Sequence, residues 1–292
     1  MVLPNGMDLR IQKIYFLEYA ALLYVGGWCL LEVDFTAGIM MLYLVFACLH
    51  AASFSALTVI LMLSIFFCFL RTHDWDRWRD KLYDALIVIA VVSLSFQVMQ
   101  YLHFGYTRFF HAMPGWDKAL IGVMANPDDA FALYMICAPA FCRRRRWFLA
   151  PVWMMGLIFA SPVFSSMTHY DVAVHVGERL AVWKAVMADV WRSEKWIGRG
   201  FAPFTFFSMG GKEMFTEAHN EFVEWFWRGG IIGTIIFLAF LSQTMRSAWR
   251  DQDKIPFLGL LCSCVAAIGF FPWHLCPLLT LSVFYAGLVQ RK

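Results

Sequence analysis

FTAGIMMLYLVFACLHAASFSALTVILMLSIFFCFL, residues 35–70, carries no Asp, Glu, Lys or Arg. At about 1.5 Å of rise per residue, a helix of that length overshoots a hydrocarbon layer about 30 Å thick, so the run holds two crossings rather than one. We divide it near His50-Ala51-Ala52-Ser53. Further apolar runs suited to spanning lie near 14–31, 82–102, 147–164, 226–245, 255–271 and 275–289. A shorter one, 126–142, is opened by Asn126-Pro127-Asp128-Asp129 as a helix start and stopped by Arg143-Arg144-Arg145-Arg146. The expected fold is all-α: a polytopic transmembrane helical bundle of eight or nine spans, forming one integral membrane domain over 1–292.

Composition excludes the other broad classes. Of 292 residues, 61% are hydrophobic and 15% charged, whereas soluble domains hold about a quarter charged residues. With 29 Phe and 13 Trp demanding burial, and 19 Gly and 10 Pro being ordinary, neither a disordered chain nor a collagen-like repeat fits. Most of the eight cysteines lie in or beside apolar runs, which argues against a disulfide framework. Cys262 and Cys264, two apart, point to different sides of a helix and make a poor metal pair. A net charge of +3, dispersed along the chain, does not suit nucleic acid.

Where the charges sit orients the bundle. Cytoplasmic loops collect Lys and Arg, which puts the tetra-arginine run inside. Arg71, Arg77, Arg79, Lys81, Arg246, Arg250, Lys254 and Arg291-Lys292 then fall on the same side. Segments 103–128 and 165–225 face outward, the second being a long extracytoplasmic loop. Nine spans would leave Arg10 and Lys13 outside, and eight would place them inside; no cleavable signal peptide is evident.

Polar chemistry gathers in the 165–225 loop. From Glu178 to Trp196, the residues Leu180, Trp183, Val186, Met187, Val190 and Trp191 recur at helical spacing, the pattern of an amphipathic helix lying at the headgroup boundary. Arg179 and Trp183, four apart, share a face and could hold a phosphate beside a flat ring; a snorkelling surface arginine is the alternative. Gly198-Arg199-Gly200 reads as a turn able to present backbone amides and a cation to an anion. His219, within Glu217-Ala218-His219-Asn220-Glu221, is expected in the first turn of the next helix, where the positive end disfavours imidazolium and leaves a neutral base. Asp128 and Asp129 are expected to serve the start of their helix.

Other motifs are set aside. Asp74-Trp75-Asp76 has the spacing of a nucleotide-sugar metal pair, but Arg71, Arg77 and Arg79 would compensate it in an ordinary juxtamembrane loop. His169 and His175 do not share a helical face, no zinc-protease or phosphate-loop motif occurs, and we expect neither a metal site nor a cofactor. A transporter would concentrate charge near the middle of broken helices, and these runs are nearly free of it, Glu18 being an exception.

Taken in order, Gln100-Tyr101, Asn126-Pro127 with Ala130 and Leu133, the basic turn at 143–146, Arg179 with Trp183, Gly198-x-Gly200 with Phe204, and Ala218-His219-Asn220 leading to Gly230-Ile231-Ile232-Gly233 resemble the O-antigen ligase and polymerase family of bacterial envelope glycosyltransferases. The likeness covers residues 97–245. It implies transfer of a glycan from an undecaprenyl-pyrophosphate carrier to a hydroxyl on a lipid A core or glycan acceptor, at the periplasmic face of the inner membrane. Membrane lipids would be the surroundings, and neither nucleotide sugar nor metal would take part. It further implies His219 as base and Arg179 as the group facing the departing pyrophosphate. Arg199, Arg228, Trp183, Asn220, Gly198 and Gly200 would line the substrate.

Overall fold

The structure, a computed structural model, describes residues 35–50, 54–72, 79–102, 120, 122–124, 127–143, 147–160, 172–201, 206–207, 214–215, 218–269 and 276–289. It is a helical bundle. The uncharged run separates where expected, into α1 (Phe35–His50) and α2 (Phe54–Thr72). There follow α3 (Arg79–Tyr101), α4 (Pro127–Phe141), a short 3-10 turn at Trp147–Leu149, α5 (Ala150–Phe159), α6 (Val172–Ser193), α7 (Glu221–Arg250), α8 (Ile255–Gly269) and α9 (Cys276–Gly287). One element was not anticipated: a two-residue antiparallel ladder, β1 (Phe206–Phe207) on β2 (Met214–Phe215), with Phe206 opposite Phe215. The expected span at 14–31, the Asp74-Trp75-Asp76 motif and both histidines of the 169/175 pair as side chains lie outside the described residues.

Two of the helices, α3 and α7, are long and apolar enough to cross a membrane. Shorter apolar helices accompany them, among them Ile255–Gly269 and Trp147–Phe159. Large apolar side chains also face outward from several helices: Leu42 is 73% exposed, Ile235 62% and Val88 58%. On a soluble monomer, apolar exposure repeated over neighbouring helices would be a liability.

The core forms where α4 packs against α3, α5 and α8, with α9 closing against α2. Tyr83, Tyr134 and Tyr285 are fully buried there, and each hydroxyl has a partner: Asp253 at 2.9 Å, Gln97 at 2.8 Å and the Ile136 carbonyl at 2.9 Å. A buried hydroxyl left unpaired would be costly, so each tyrosine fixes one helix against another.

Contacts at the helix ends show that the chain runs up and down. Arg79, at the start of α3, donates to the Leu288 carbonyl after α9 at 3.1 Å and lies 3.5 Å from Asp253, just after α7. Arg143, after α4, pairs with Asp80 and lies over the Tyr83 ring. The basic segments 79–81, 143 and 250–254 therefore meet at one end, the grouping that charge alone suggested. At the opposite end, Gln97 near the close of α3 donates to the Leu120 carbonyl at 2.9 Å, and Arg179 of α6 reaches Asp128 of α4 and Gly269 of α8. Helix α6 thus reaches, through Arg179, the end remote from the basic cluster.

Helix α7 is broken at Gly230, whose φ of 57° and ψ of −155° are not helical. After the break, residues 231–250 form an arm about 30 Å long at ~1.5 Å per residue, the depth of one hydrocarbon layer. Before it, residues 221–229 form a separate arm on the α6 side.

Candidate functional site

The site is built where α6 meets the first arm of α7. Val182, Val186 and Val190, four apart, are buried against Ala218 and Trp227, with Trp183, Val223 and Phe226 flanking them. Leu180, Met187 and Trp191 of the expected stripe are instead exposed. The single apolar face read from sequence is therefore two faces. One is a valine seam turned onto α7, with Val182 not foreseen; the other is an outward face bearing the larger side chains. The helix also spans Val172–Ser193 rather than 178–196, and residues 194–197 turn.

His219 is not in the first turn of α7. It stands one residue before the N-cap, with φ of 52°, a left-handed conformation that a residue with a β-carbon adopts only when its neighbours impose it, at a cost of roughly 1–3 kcal/mol. The neighbours are visible. The Trp183 indole N–H donates to the Ala218 carbonyl at 2.6 Å, and the Ala218 N–H donates to Glu224 Oε1 at 2.7 Å. Asn220 caps α7, its Oδ1 accepting from the amides of Phe222 at 3.0 Å and Val223 at 3.1 Å. Both backbone groups of residue 218 are thus held by side chains, and residue 220 is fixed by its cap. The imidazole is presented from a turn with little freedom.

Arg179 lies one helical turn before Trp183, about 6 Å along the axis. Its Nη1 donates to the Gly269 carbonyl at 2.9 Å and its Nη2 to Asp128 Oδ2 at 2.5 Å. Sequence reading gave Asp128 only to the start of its helix. Here it also pairs with Arg179, so an anion approaching this guanidinium would share it with a carboxylate. Both side chains are less than a fifth exposed, which strengthens the pair relative to one in water.

Gly198-Arg199-Gly200 departs from the expected role. Its amides are not presented to an anion: Gly198 N–H donates to Glu194 O at 2.8 Å, Arg199 N–H to Trp227 O at 2.9 Å and Gly200 N–H to Arg228 O at 2.8 Å. In return, the amides of Ile231 and Ile232, at the start of the second arm of α7, donate to Lys195 O at 2.8 Å and Trp196 O at 3.1 Å. The turn therefore caps both sides of the helix break. Such close backbone approach requires glycine: Gly198 and Gly230 both have positive φ, and a β-carbon at Gly198 would stand 2.5 Å from the Gly230 nitrogen. Arg199 itself pairs with Asp189 at 2.9 Å, both being a little over a third exposed.

Arg228 lies further along the first arm. It donates to Glu224 Oε2 at 3.2 Å and stacks over Phe201, 4.8 Å from the ring centre. Both members of this pair, with Glu221, line a cavity of about 240 Å³ between α1, α2, α7, α8 and α9, whose other walls, such as Leu44, Leu63, Trp225 and Phe240, are mostly apolar. Glu224 is 1% exposed and was not singled out from sequence. The available signal was an acid four residues before Arg228, inside an otherwise apolar run. Among the described residues, no three of His, Cys, Asp and Glu gather closely enough to share an ion.

The structure thus brings Trp183, Ala218, His219 and Asn220 into one group with Arg179 a turn away. It joins Gly198, Arg199 and Gly200 to the Arg228 backbone, and it leaves the Arg228 side chain on the cavity. Comparison of the chain with protein-family models, with curated proteins and with solved structures gives no match.

Proposed function

We propose that this protein is an integral membrane glycosyltransferase of O-antigen ligase type. It transfers a glycan from an undecaprenyl-pyrophosphate carrier to a hydroxyl acceptor, at the periplasmic face of a bacterial inner membrane. The observation that carries the reading is the 2.6 Å hydrogen bond from Trp183 to Ala218, which sets the helix bearing Arg179 against the turn bearing His219. In support of a bilayer setting stand the outward apolar side chains and the alternation of basic and site-bearing helix ends. The eight or nine crossings belong to this reading.

In the reaction so assigned, an acceptor hydroxyl is held at His219, whose imidazole takes the proton as the oxygen attacks the anomeric carbon. The new bond forms on the face opposite the carrier, the bond to the carrier oxygen breaks, and the configuration inverts. The pyrophosphate leaves as an anion beside Arg179, which sheds part of its pairing with Asp128 to meet the developing charge. Trp183 supports the turn, Asn220 caps its exit, and Gly198 with Gly200 fixes the layer below. Arg199 and Arg228 are further cations within the same end of the bundle. A polymerase of the same family would use the same chemistry with a glycan chain as acceptor.

One observation favours a second reading, a transporter for a lipid-linked glycan: α7 is broken, as transporter helices often are. The break is nevertheless filled by the 195–200 turn rather than open to a cargo. The decisive experiment incubates purified protein with undecaprenyl-pyrophosphate oligosaccharide and candidate acceptors, with and without chelator. Transfer lost in H219A and R179A, with carrier binding kept, supports the enzyme. Absence of transfer by the wild type with every acceptor, or transfer undiminished in H219A, overturns it.

A further inference from the structure

We infer that Glu224 is the positioning residue for His219, and that Arg228 links that positioning to the cavity both residues line. The inference rests on the proposed reaction only in treating the imidazole as a base; the geometric part stands without it.

His219 is held in a left-handed backbone, and one of the two side-chain restraints on its N-terminal neighbour is the 2.7 Å bond from the Ala218 N–H to Glu224 Oε1. The other oxygen of that carboxylate accepts from Arg228 at 3.2 Å. A carboxylate that is 1% exposed cannot reorient without leaving donors unpaired, so displacement of Arg228 is passed to Ala218 rather than absorbed by solvent. Trp183 holds the carbonyl of the same residue. Ala218 is therefore gripped at N–H and C=O, and Glu224 is the grip that reaches the cavity. Glu224 touches no reacting atom in this scheme. It acts through the turn.

The test compares wild type, E224Q, E224D and R228K as full-length protein in lipid nanodiscs. Each histidine is followed by carbethoxylation with diethyl pyrocarbonate and mass spectrometry, and transfer kinetics are measured in parallel. Loss of a hydrogen bond to a charged acceptor loosens the turn, so E224Q should change the His219 rate by about tenfold while the other histidines hold. E224D, which keeps the carboxylate, should restore part of it, and R228K should change it less. In the transfer assay, kcat should fall by about 10²-fold with KM for the donor little changed, as expected for a displaced rather than deleted base.

The inference is overturned if the His219 rate in folded E224Q equals that of wild type, or if all histidines move together, which would mark Glu224 as a general support of the fold. Should E224Q not fold, R228K carries the decision, since it keeps the carboxylate and moves its partner; an unchanged His219 there overturns the inference equally. A His219 shift in a wild-type background without transferase activity would retain the positioning and remove the reaction. Full transfer in E224Q with no shift would do the reverse.

Discussion

The two ends of this bundle use ion pairs for opposite purposes. At one, Arg79 is buried among Asp251, Asp253 and the Leu288 carbonyl, with Tyr83 donating to Asp253 and Arg143 lying over Tyr83. Four chain segments converge, and the charges lock helix ends together. At the other end, Arg179 and Asp128 also bridge helices, but the nearby His219 sits in an unfavourable backbone held by side chains. Strain that persists because its surroundings determine it is a mark of a working site, whereas a relaxed, interlocked charge network is a mark of assembly. Substitutions should separate the two, acting on rate at one end and on stability at the other.

The largest expected effect is on rate. In the proposed reaction H219A should lower transfer by about 10²–10⁴-fold with thermal unfolding close to wild type, and R179A by about 10²–10³-fold with a loss of about 1–3 kcal/mol from the stranded Asp128 carboxylate; single-turnover transfer measures the rates and a melt the stability. A melt that collapses in either variant would erase the distinction between the ends. Next is R79L, which strands two carboxylates and should destabilise by about 3–5 kcal/mol, read as a fall in unfolding midpoint, without altering kcat of the folded fraction. G198A forces a β-carbon into the α7 break and into a positive φ, for an expected loss of about 1–3 kcal/mol. It should also speed hydrogen exchange at Ile231 and Ile232. N220A removes the α7 cap and should lower stability by about 1 kcal/mol. Smallest is D189N. Its pairing with Arg199 is more than a third exposed, so stability should shift by less than about 1 kcal/mol.

Much of the framework could be read from the chain. An uncharged run too long for one helix had to divide, and the clustering of basic residues suggested which helix ends meet, as Arg143 beside Asp80 and Arg79 beside Asp253 do. Phe35–His50 and Phe54–Thr72 follow from that arithmetic. Less of the site was legible, for identifiable reasons. Periodicity locates an apolar stripe without saying which part of it meets protein, so Val182 was missed and Leu180 was misassigned to the same face as Val186. Helical phase placed His219 inside α7, because nothing local distinguishes a residue in the first turn from one before the cap; Asn220 settles it only once its side chain is seen to accept from Phe222 and Val223. Glu224 and Asp128 have partners 6 and 51 positions away, and neither pairing follows from a motif. The glycines at 198 and 200 looked like an anion cradle because a turn's amides are available until another backbone claims them, as that of Trp227 and Arg228 does.

The clasp between residues 195–200 and the α7 break has a consequence for how the polypeptide could be divided. Two donors and two acceptors cross from one strand of backbone to the other, so the junction does not depend on the peptide that links them. A cut anywhere between Phe201 and Ala218 would leave a front piece ending in its own plug and a rear piece beginning with the matching socket. Expressed as two halves, they carry the means to find each other, and the socket half alone would leave the Ile231 and Ile232 amides without the acceptors that the turn supplies.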